Sequence, residues 1–389
     1  MKHTALAISF LLIFSFLFSF PAAYAQKYQS GYAYLCPVVD GKHDQRYWQD
    51  ALKIEFSHGV LMVKNNYHHL YLLMDVTSDT KEDAILKKPV CDDYFEIYFD
   101  WDGNGKITRN IDRAYTVCNN VERLIYRYIL QKDVLSSVYF SGGKVRAGFG
   151  PTLNSPTPHR FYEMVLPLSE AKIEAMTVIK IGWRVVSKNP YIDQQFPDQA
   201  LDNITRFYTI DLSFPPQNIE SEYIVGSLNM KINGADYTMD VAPYIYQRRT
   251  FLPIRFVVEP FGGFFEWNSS NQRLIVFVED TNISMTMNSP LAYVNGKQIQ
   301  IDSTNKSITP QLKPPGRVMV PLRFLAEAVG CNVIWEARLQ KAIVKRVASF
   351  KNLFERSSMI QLKHFQRNPF LIVYPLLEFG QVLSFFEAR

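Results

Sequence analysis

The stretch FDWDGNGKITRN, Phe99 to Asn110, sets Asp100, Asp102 and Asn104 at the first, third and fifth places of a calcium-loop pattern, with Gly105 at the sixth. Calcium is a hard cation that collects several oxygens, so the ligand set expected here is Asp100, Asp102, Asn104, the Lys106 carbonyl and Asp112. The twelfth place holds Ile111 instead of the bidentate Glu of the pattern. YFEIYFD before the stretch and RAYTV after it read as strands, which makes it a hairpin connection in which Gly103, Asn104 and Gly105 can take positive φ. Trp101 sits on that turn and is expected to contact a ligand.

Other reactive side chains are less well placed. His68 and His69 are neighbours on a strand and point to opposite faces, so they cannot chelate one ion together; His43 and His58 are remote in sequence. Met62 or Met74 could serve an extracytoplasmic haem site. Asp92, Asp93 and Glu96 offer carboxylates, but glycoside hydrolysis needs two across a cleft, and acids at strand edges usually face solvent. No nucleophile and base, phosphate loop or transition-metal cluster stands out, which points to a non-catalytic protein.

These residues must be held by a chain of 389 amino acids. Residues 1–25 have a basic start, an apolar run from Ala5 to Phe20 and a small-residue exit at Ala23-Tyr24-Ala25, the pattern of a bacterial-type secretory signal peptide. A secreted or cell-surface protein is expected, with no stable membrane span after cleavage. The net charge of +5 is scattered, with no nucleic-acid footprint. Cys36, Cys91 and Cys118 allow one disulfide among them, Cys331 lies far off, and no C-x-x-C suggests zinc.

DLSFPPQNIESE carries Pro215 and Pro216 side by side, so residues 216–221 read as a linker between a domain at 26–215 and one at 222–348. The second domain repeats itself. RRTFLPIRFVVEPFGGFFEW and GRVMVPLRFLAEAVGCNVIW align without gaps at an offset of 68, with Arg249, Pro253, Arg255, Phe256, Glu259, Gly262 and Trp267 identical to Arg317, Pro321, Arg323, Phe324, Glu327, Gly330 and Trp335. Each copy has an Asn-Gly hairpin signal, an arginine-bearing extended stretch, a short helix ending at Gly262 or Gly330, and a strand starting at the Trp. The expectation is a small α+β domain of two β-turn-α-β repeats. In it Arg255–Glu259 and Arg323–Glu327 form structural charge pairs, and Trp267 and Trp335 are core.

The pattern N-G … R-T-x-x-P-x-R-F … E-x-x-G … W resembles the N-terminal-like domain of copper amine oxidases from about Tyr223 to Val347. Oxidase chemistry needs copper held by histidines and a tyrosine within T-x-x-N-Y. Tyr223 to Val347 contains no histidine, and at Asn66-Tyr67 the Thr is replaced by Val63, so neither copper nor oxidase activity is expected.

The first domain alternates apolar and polar residues in HLYLLMDV, YFEIYFD, RFYEMVLPL and VIKIGWRVV, as an antiparallel β-sandwich does, with a weak amphipathic helix at Ser169 to Met176. Trp48 and Trp183 read as core. VVDGKHDQRYWQDA and the runs after it resemble family 9 carbohydrate-binding modules and the wider sugar- and haem-binding DOMON-like domains. The resemblance implies a sandwich that grips a sugar between aromatic rings, with no catalysis. The family pattern places a tryptophan where Val90 stands and an arginine near Thr116, and neither is there; Tyr191 and Phe196, after IGWRVV, are the available clamp residues beside Trp101.

Residues 349–389 are rich in Phe and Leu but broken by Pro369 and Pro375, and read as an appended tail. The whole is mainly β: a secreted, non-catalytic protein that binds polysaccharide or cell-wall glycan, with calcium as the one cofactor the residues suggest. The alternatives are a structural or adhesion protein of the envelope without sugar binding, and an extracytoplasmic haem or redox protein.

Overall fold

The computed structural model describes residues 27–82, 93–108, 111–118, 125–131, 134–139, 142–171, 178–199, 203–213 and 218–347. The expected signal peptide at 1–25, Val90, Cys91, Asp92 and the expected tail at 349–389 lie outside the described residues. The chain divides into two compact units, Met1–Phe214 and Pro215–Arg389. Of the expected linker, residues 218–221 are already a strand of the second unit.

The first unit contains β1 (Lys27–Gln29), β2 (Gly31–Tyr32), β3 (Leu52–Phe56), β4 (Gly59–Asn65), β5 (His69–Val76), β6 (Tyr94–Asp100) and β7 (Arg113–Cys118). It continues with β8 (Ile125–Gln131), β9 (Val134–Tyr139), β10 (Lys144–Gly150), β11 (His159–Pro167), β12 (Val178–Lys188), β13 (Tyr191–Phe196) and β14 (Tyr208–Asp211). The larger sheet runs β1-β14-β12-β6-β7-β8-β9, with β13 also on β12; the smaller runs β10-β11-β5-β4-β2, with β3 on β4. Among the described residues of this unit, the β1–β14 and β2–β4 pairs are the parallel ones. Strand alternation sends Phe95, Ile97 and Phe99 of β6 and Leu70, Leu72 and Met74 of β5 into one apolar layer between the sheets, as expected of a sandwich. The expected helix at 169–176 is replaced over its described part by a 3-10 turn, Leu168–Ala171.

The opening segment covers the far side of the smaller sheet. There Trp48 is buried, as expected of core, and Lys64 donates to the Tyr47 carbonyl (3.0 Å) and pairs with Asp50. Glu163 accepts from the backbone N–H groups of Asp40 (3.1 Å) and Gly41 (2.9 Å), and burial raises its pKa to about 7. Gly41 has φ +78°, and a Cβ there would lie 2.9 Å from the Ala147 carbonyl, so this turn requires glycine. His159 and Asp75 are fully buried and paired, and Thr152 and Asn154 each donate to Asp75 at 2.7 Å. Lys64, Asp75, His159 and Glu163 are thus each met by at least one hydrogen bond, as burial demands. Cys118 is disulfide-bonded, while Cys36 and Cys331 are free thiols.

The second unit contains β15 (Asn218–Ile224), β16 (Asn229–Ile232), β17 (Ala235–Thr238), β18 (Tyr244–Tyr246), β19 (Arg249–Pro253), α1 (Ile254–Val258), β20 (Phe264–Asn268) and β21 (Arg273–Val278). The second repeat follows as β22 (Thr281–Thr286), β23 (Leu291–Val294), β24 (Lys297–Gln300), β25 (Gln311–Lys313), β26 (Arg317–Pro321), α2 (Leu322–Ala328), β27 (Asn332–Glu336) and β28 (Lys341–Val347). The Asn-Gly signals are two-residue hairpin turns with both φ values positive, +49° and +82° at Asn233-Gly234, +49° and +80° at Asn295-Gly296. Gly262 and Gly330 end the helical stretches at φ +78°.

The repeats are interleaved. One five-stranded sheet, β17-β16-β15-β28-β27, joins the start of the first repeat to the end of the second, and the other, β20-β21-β22-β23-β24, joins the end of the first to the start of the second. Between them a four-stranded sheet, β18-β19-β26-β25, pairs Leu252 with Val320. Those two are equivalent under the offset of 68, so a pseudo-two-fold axis passes between them.

Candidate functional site

The outer face of the larger sheet carries a network of polar and aromatic side chains. In β6 the residues that alternate with the buried Phe95, Ile97 and Phe99 are Tyr94, Glu96 and Tyr98, all half-buried. Register puts Glu96 between Thr116 of β7 and Arg184 of β12. Glu96 accepts from the Tyr98 hydroxyl at 3.0 Å and the Thr116 hydroxyl at 3.1 Å, and its Oε2 lies 3.7 Å from Arg184 Nη1. Arg184 forks onto Asp193 of β13 with Nε and Nη2 at 2.8 and 2.9 Å, and its guanidinium carbon stands 5.9 Å from the Tyr94 ring centre.

The electrostatics follow from these contacts. The Arg184 hydrogen bonds hold Asp193 below the usual carboxylate range, so it stays charged. Burial, then the charge of Glu96, raise the Tyr98 hydroxyl, which stays a neutral donor. A carboxylate kept ionised by a guanidinium is a poor proton donor and a fixed hydrogen-bond acceptor.

Of the expected aromatic clamps, Tyr191 is 81% exposed, two residues before Asp193 on the same strand and opposite Lys188 at the start of β13. Phe196 and Trp101 are corrections. Phe196 lies on the other face of β13 and is buried, its ring 5.8 Å from Trp183 and 4.6 Å from Phe56, because residues an odd number apart on a strand point to opposite sides. Trp101 is fully buried and stacks on Phe99, with centroids 4.2 Å apart and planes 8° from parallel. The inward alternation of Phe95, Ile97 and Phe99 continues through Trp101 into the turn, so its ring closes the end of the core and offers no face to a ligand.

The turn itself gathers acids. One oxygen from each of Asp100, Asp102 and Asp112 lies within 4.8 Å of the others. Asp100 accepts from the N–H groups of Asn104 (3.1 Å) and Gly105 (2.7 Å), and Asp112 from Trp101 N–H (3.0 Å) and Thr108 N–H (2.5 Å). The Asn104 carbonyl oxygen of the side chain accepts from Lys106 N–H at 2.7 Å, and its amide donates to Asp102. Burial raises Asp100 to about 7 and Asp112 to about 6, with the neighbouring acids adding to the shift. Oxygens crowded in this way suit a hard divalent cation. Among the described residues this is the one group of three metal-ligating side chains so gathered. His68 and His69 are lowered by burial, His69 to about 4, and stay neutral at physiological pH. Asn66 accepts from the backbone N–H of His68 (2.9 Å) and His69 (2.8 Å), a turn-capping role for the residue of the Asn66-Tyr67 pair.

In the second unit, Arg255 pairs with Glu259 and Arg323 with Glu327, each at 3.0 Å and four residues apart, as expected. The tryptophans are not core. Trp267 is half-buried and Trp335 is 38% exposed, because β20 and β27 are the edge strands of their sheets and leave one side of each ring uncovered. This unit thus carries two Asn-Gly hairpins, two glycine-capped helices and interleaved sheets. Residues 231–344 match the copper amine oxidase N-terminal domain.

Over the first unit, the chain is similar to a family 9 carbohydrate-binding module from Caldicellulosiruptor kristjanssonii solved with cellotriose. The two are 15% identical, the match covers 49% of this chain and 95% of that one, and the TM-score is 0.34. The corresponding structure with glucose matches at 16% identity, 49% and 96% coverage and a TM-score of 0.33. No curated protein sequence matches the chain.

Sequence reasoning missed Arg184, Asp193, Tyr94 and Tyr98. The signal for the tyrosines was present in the alternation of YFEIYFD. Arg184 reaches Glu96 from β12, the strand on the side of β6 away from Thr116.

Proposed function

We propose that the protein is a non-catalytic, extracytoplasmic carbohydrate-binding protein whose ligand, a polysaccharide or cell-wall glycan, lies on the outer face of the larger sheet. The observation that carries this reading is the Thr116–Glu96–Arg184–Asp193 network flanked by Tyr94, Tyr98 and the exposed Tyr191. Sugar C–H faces pack on aromatic rings while fixed donors and acceptors meet the hydroxyls. The leader-like residues 1–25 support export to the cell surface or medium. The Asp100–Asp112 turn is proposed to hold calcium as a structural ion that pins the hairpin beside this face, through Asp100, Asp102, Asn104, the Lys106 carbonyl and Asp112.

Affinity electrophoresis in gels of cellulose derivatives, xylan and cell-wall glycan tests the proposal on the chain from Gln26 onward. Retention by at least one glycan, weakened in Tyr191→Ala and Arg184→Gln, is expected. No retention by any of them, or retention that both variants keep in full, would falsify it.

A further inference from the structure

The second unit has a groove of about 960 Å³ beside α2, lined among others by Arg248, Arg249, Gln300, Asp302, Arg323 and Trp335. Trp335 presents its indole to this groove at 38% exposure. Arg249 is committed to Asp302 and Arg323 to Glu327, which leaves these charges locally balanced. Arg248 has no ion-pair partner among the described residues, so the groove keeps one free guanidinium. Gln300 adds an orphan donor, since its Nε2 is buried without a hydrogen-bond acceptor.

Arg248 also sits where its type is awkward. It follows Gln247 in the β18–β19 hairpin turn, and both are left-handed, at φ +64° and +46°. The equivalent of Arg248 in the second repeat is Gly316, at φ +103°, a residue that tolerates such angles freely. The turn has therefore kept an arginine against local preference. The first repeat's own helix is closed: Phe256 is 1% and Glu259 4% exposed, whereas their equivalents Phe324 and Glu327 are half-buried and exposed. The duplication thus leaves the helix of the second repeat, with Trp335 beside it, open to a ligand.

We propose that this groove binds a uronic-acid oligosaccharide. The sugar ring stacks on Trp335, its carboxylate pairs with Arg248, and a ring or hydroxyl oxygen accepts from Gln300 Nε2. The fixed Arg249–Asp302 and Arg323–Glu327 pairs offer donors and acceptors side by side, which suits hydroxyls, groups that both give and take hydrogen bonds. An acidic peptide would supply the charge but not the flat, hydroxyl-rimmed face that an indole and paired charges match.

The test is isothermal titration of oligogalacturonate and of its fully methyl-esterified form into the chain from Gln26 onward carrying Tyr191→Ala, which removes the contribution expected of the first unit. The acid should bind at least tenfold tighter than the ester. Arg248→Ala should abolish that difference while leaving the melting temperature unchanged, because its side chain is exposed, and Trp335→Ala should weaken both forms. Gln300→Leu should weaken both forms with folding intact. Absence of binding, equal binding of acid and ester, binding indifferent to Arg248→Ala and Trp335→Ala, or equal affinity for poly-glutamate would each overturn the proposal.

Discussion

Arg249 of the first repeat is bound to Asp302 of the second, and Arg317, the equivalent of Arg249, is bound to Asp240 of the first. Each aspartate follows its own Asn-Gly turn at the same distance, so the two ion pairs are copies of one contact related by the axis between Leu252 and Val320. An arginine that would look like a surface charge in either copy alone is a latch between copies. The Arg249 hydrogen bond draws Asp302 well below the usual carboxylate range.

A double-mutant cycle on Arg249→Ala and Asp302→Ala should give a coupling of about 0.5–1 kcal/mol, the upper part of the range for partly exposed pairs. Because the folded pKa of Asp302 lies below its unfolded value, this stabilisation is present above about pH 4 and lost as pH falls further. Hydrogen exchange in β19 and β26 reads it locally; zero coupling at pH 7 would reduce the latch to a geometric coincidence.

The acids of the hairpin turn act in the opposite direction. Asp100 and Asp112 titrate near 7 and 6, above their unfolded values, so their contribution is present below about pH 4 and lost as pH rises through 6 and 7. In chelator, the melting temperature of the first unit should fall between pH 5 and pH 8. Calcium should restore it at pH 8 and do little at pH 5, where protons compete for the same oxygens. Asp100→Asn should remove most of the calcium response, leaving a residual pH slope from Asp112 and from Glu163, which burial raises to about 7 away from the turn. A melting temperature indifferent to calcium at pH 8 means that the turn holds no ion.

Trp101 and Tyr191 separate stability from binding. Trp101→Ala deletes a fully buried indole and should destabilise the first unit by about 3–5 kcal/mol, while the fraction that stays folded binds glycan normally. Tyr191→Ala, on an exposed ring, should change stability by less than about 0.5 kcal/mol and lower glycan affinity by about tenfold, or about 1.4 kcal/mol. Urea unfolding and binding isotherms on the two variants check both statements; a Trp101→Ala variant of normal stability and weakened binding would return that residue to the ligand site.

Much of this fold is legible in the sequence because repetition and alternation are local. The Asn-Gly turns, the glycine caps and the i, i+4 charge pairs follow from neighbouring residues alone, and the structure has them where they are expected. What the sequence hides is pairing at long range. Nothing near Glu96 announces that Arg184 will arrive from β12, and nothing near Arg249 names Asp302. Trp101 was misread for a different reason. Its place on a turn suggests exposure, while the period of two from Phe95 onward carries it inward. The same period rules out Tyr191 and Phe196 as two jaws of one clamp.

The interleaving of the two repeats has a consequence for ancestry. The first repeat alone would have three strands of one five-stranded sheet, two of the other and one side of the central ladder, with raw edges at β15, β21 and β19. Two identical copies would supply one another's missing halves about the same axis, so the unit has the form of a swapped homodimer written into one polypeptide. The turn at Glu279-Asp280, which joins β21 to β22, then serves mainly to keep the halves at high local concentration. Cut there by an engineered protease site, the two fragments should still travel together through a sizing column.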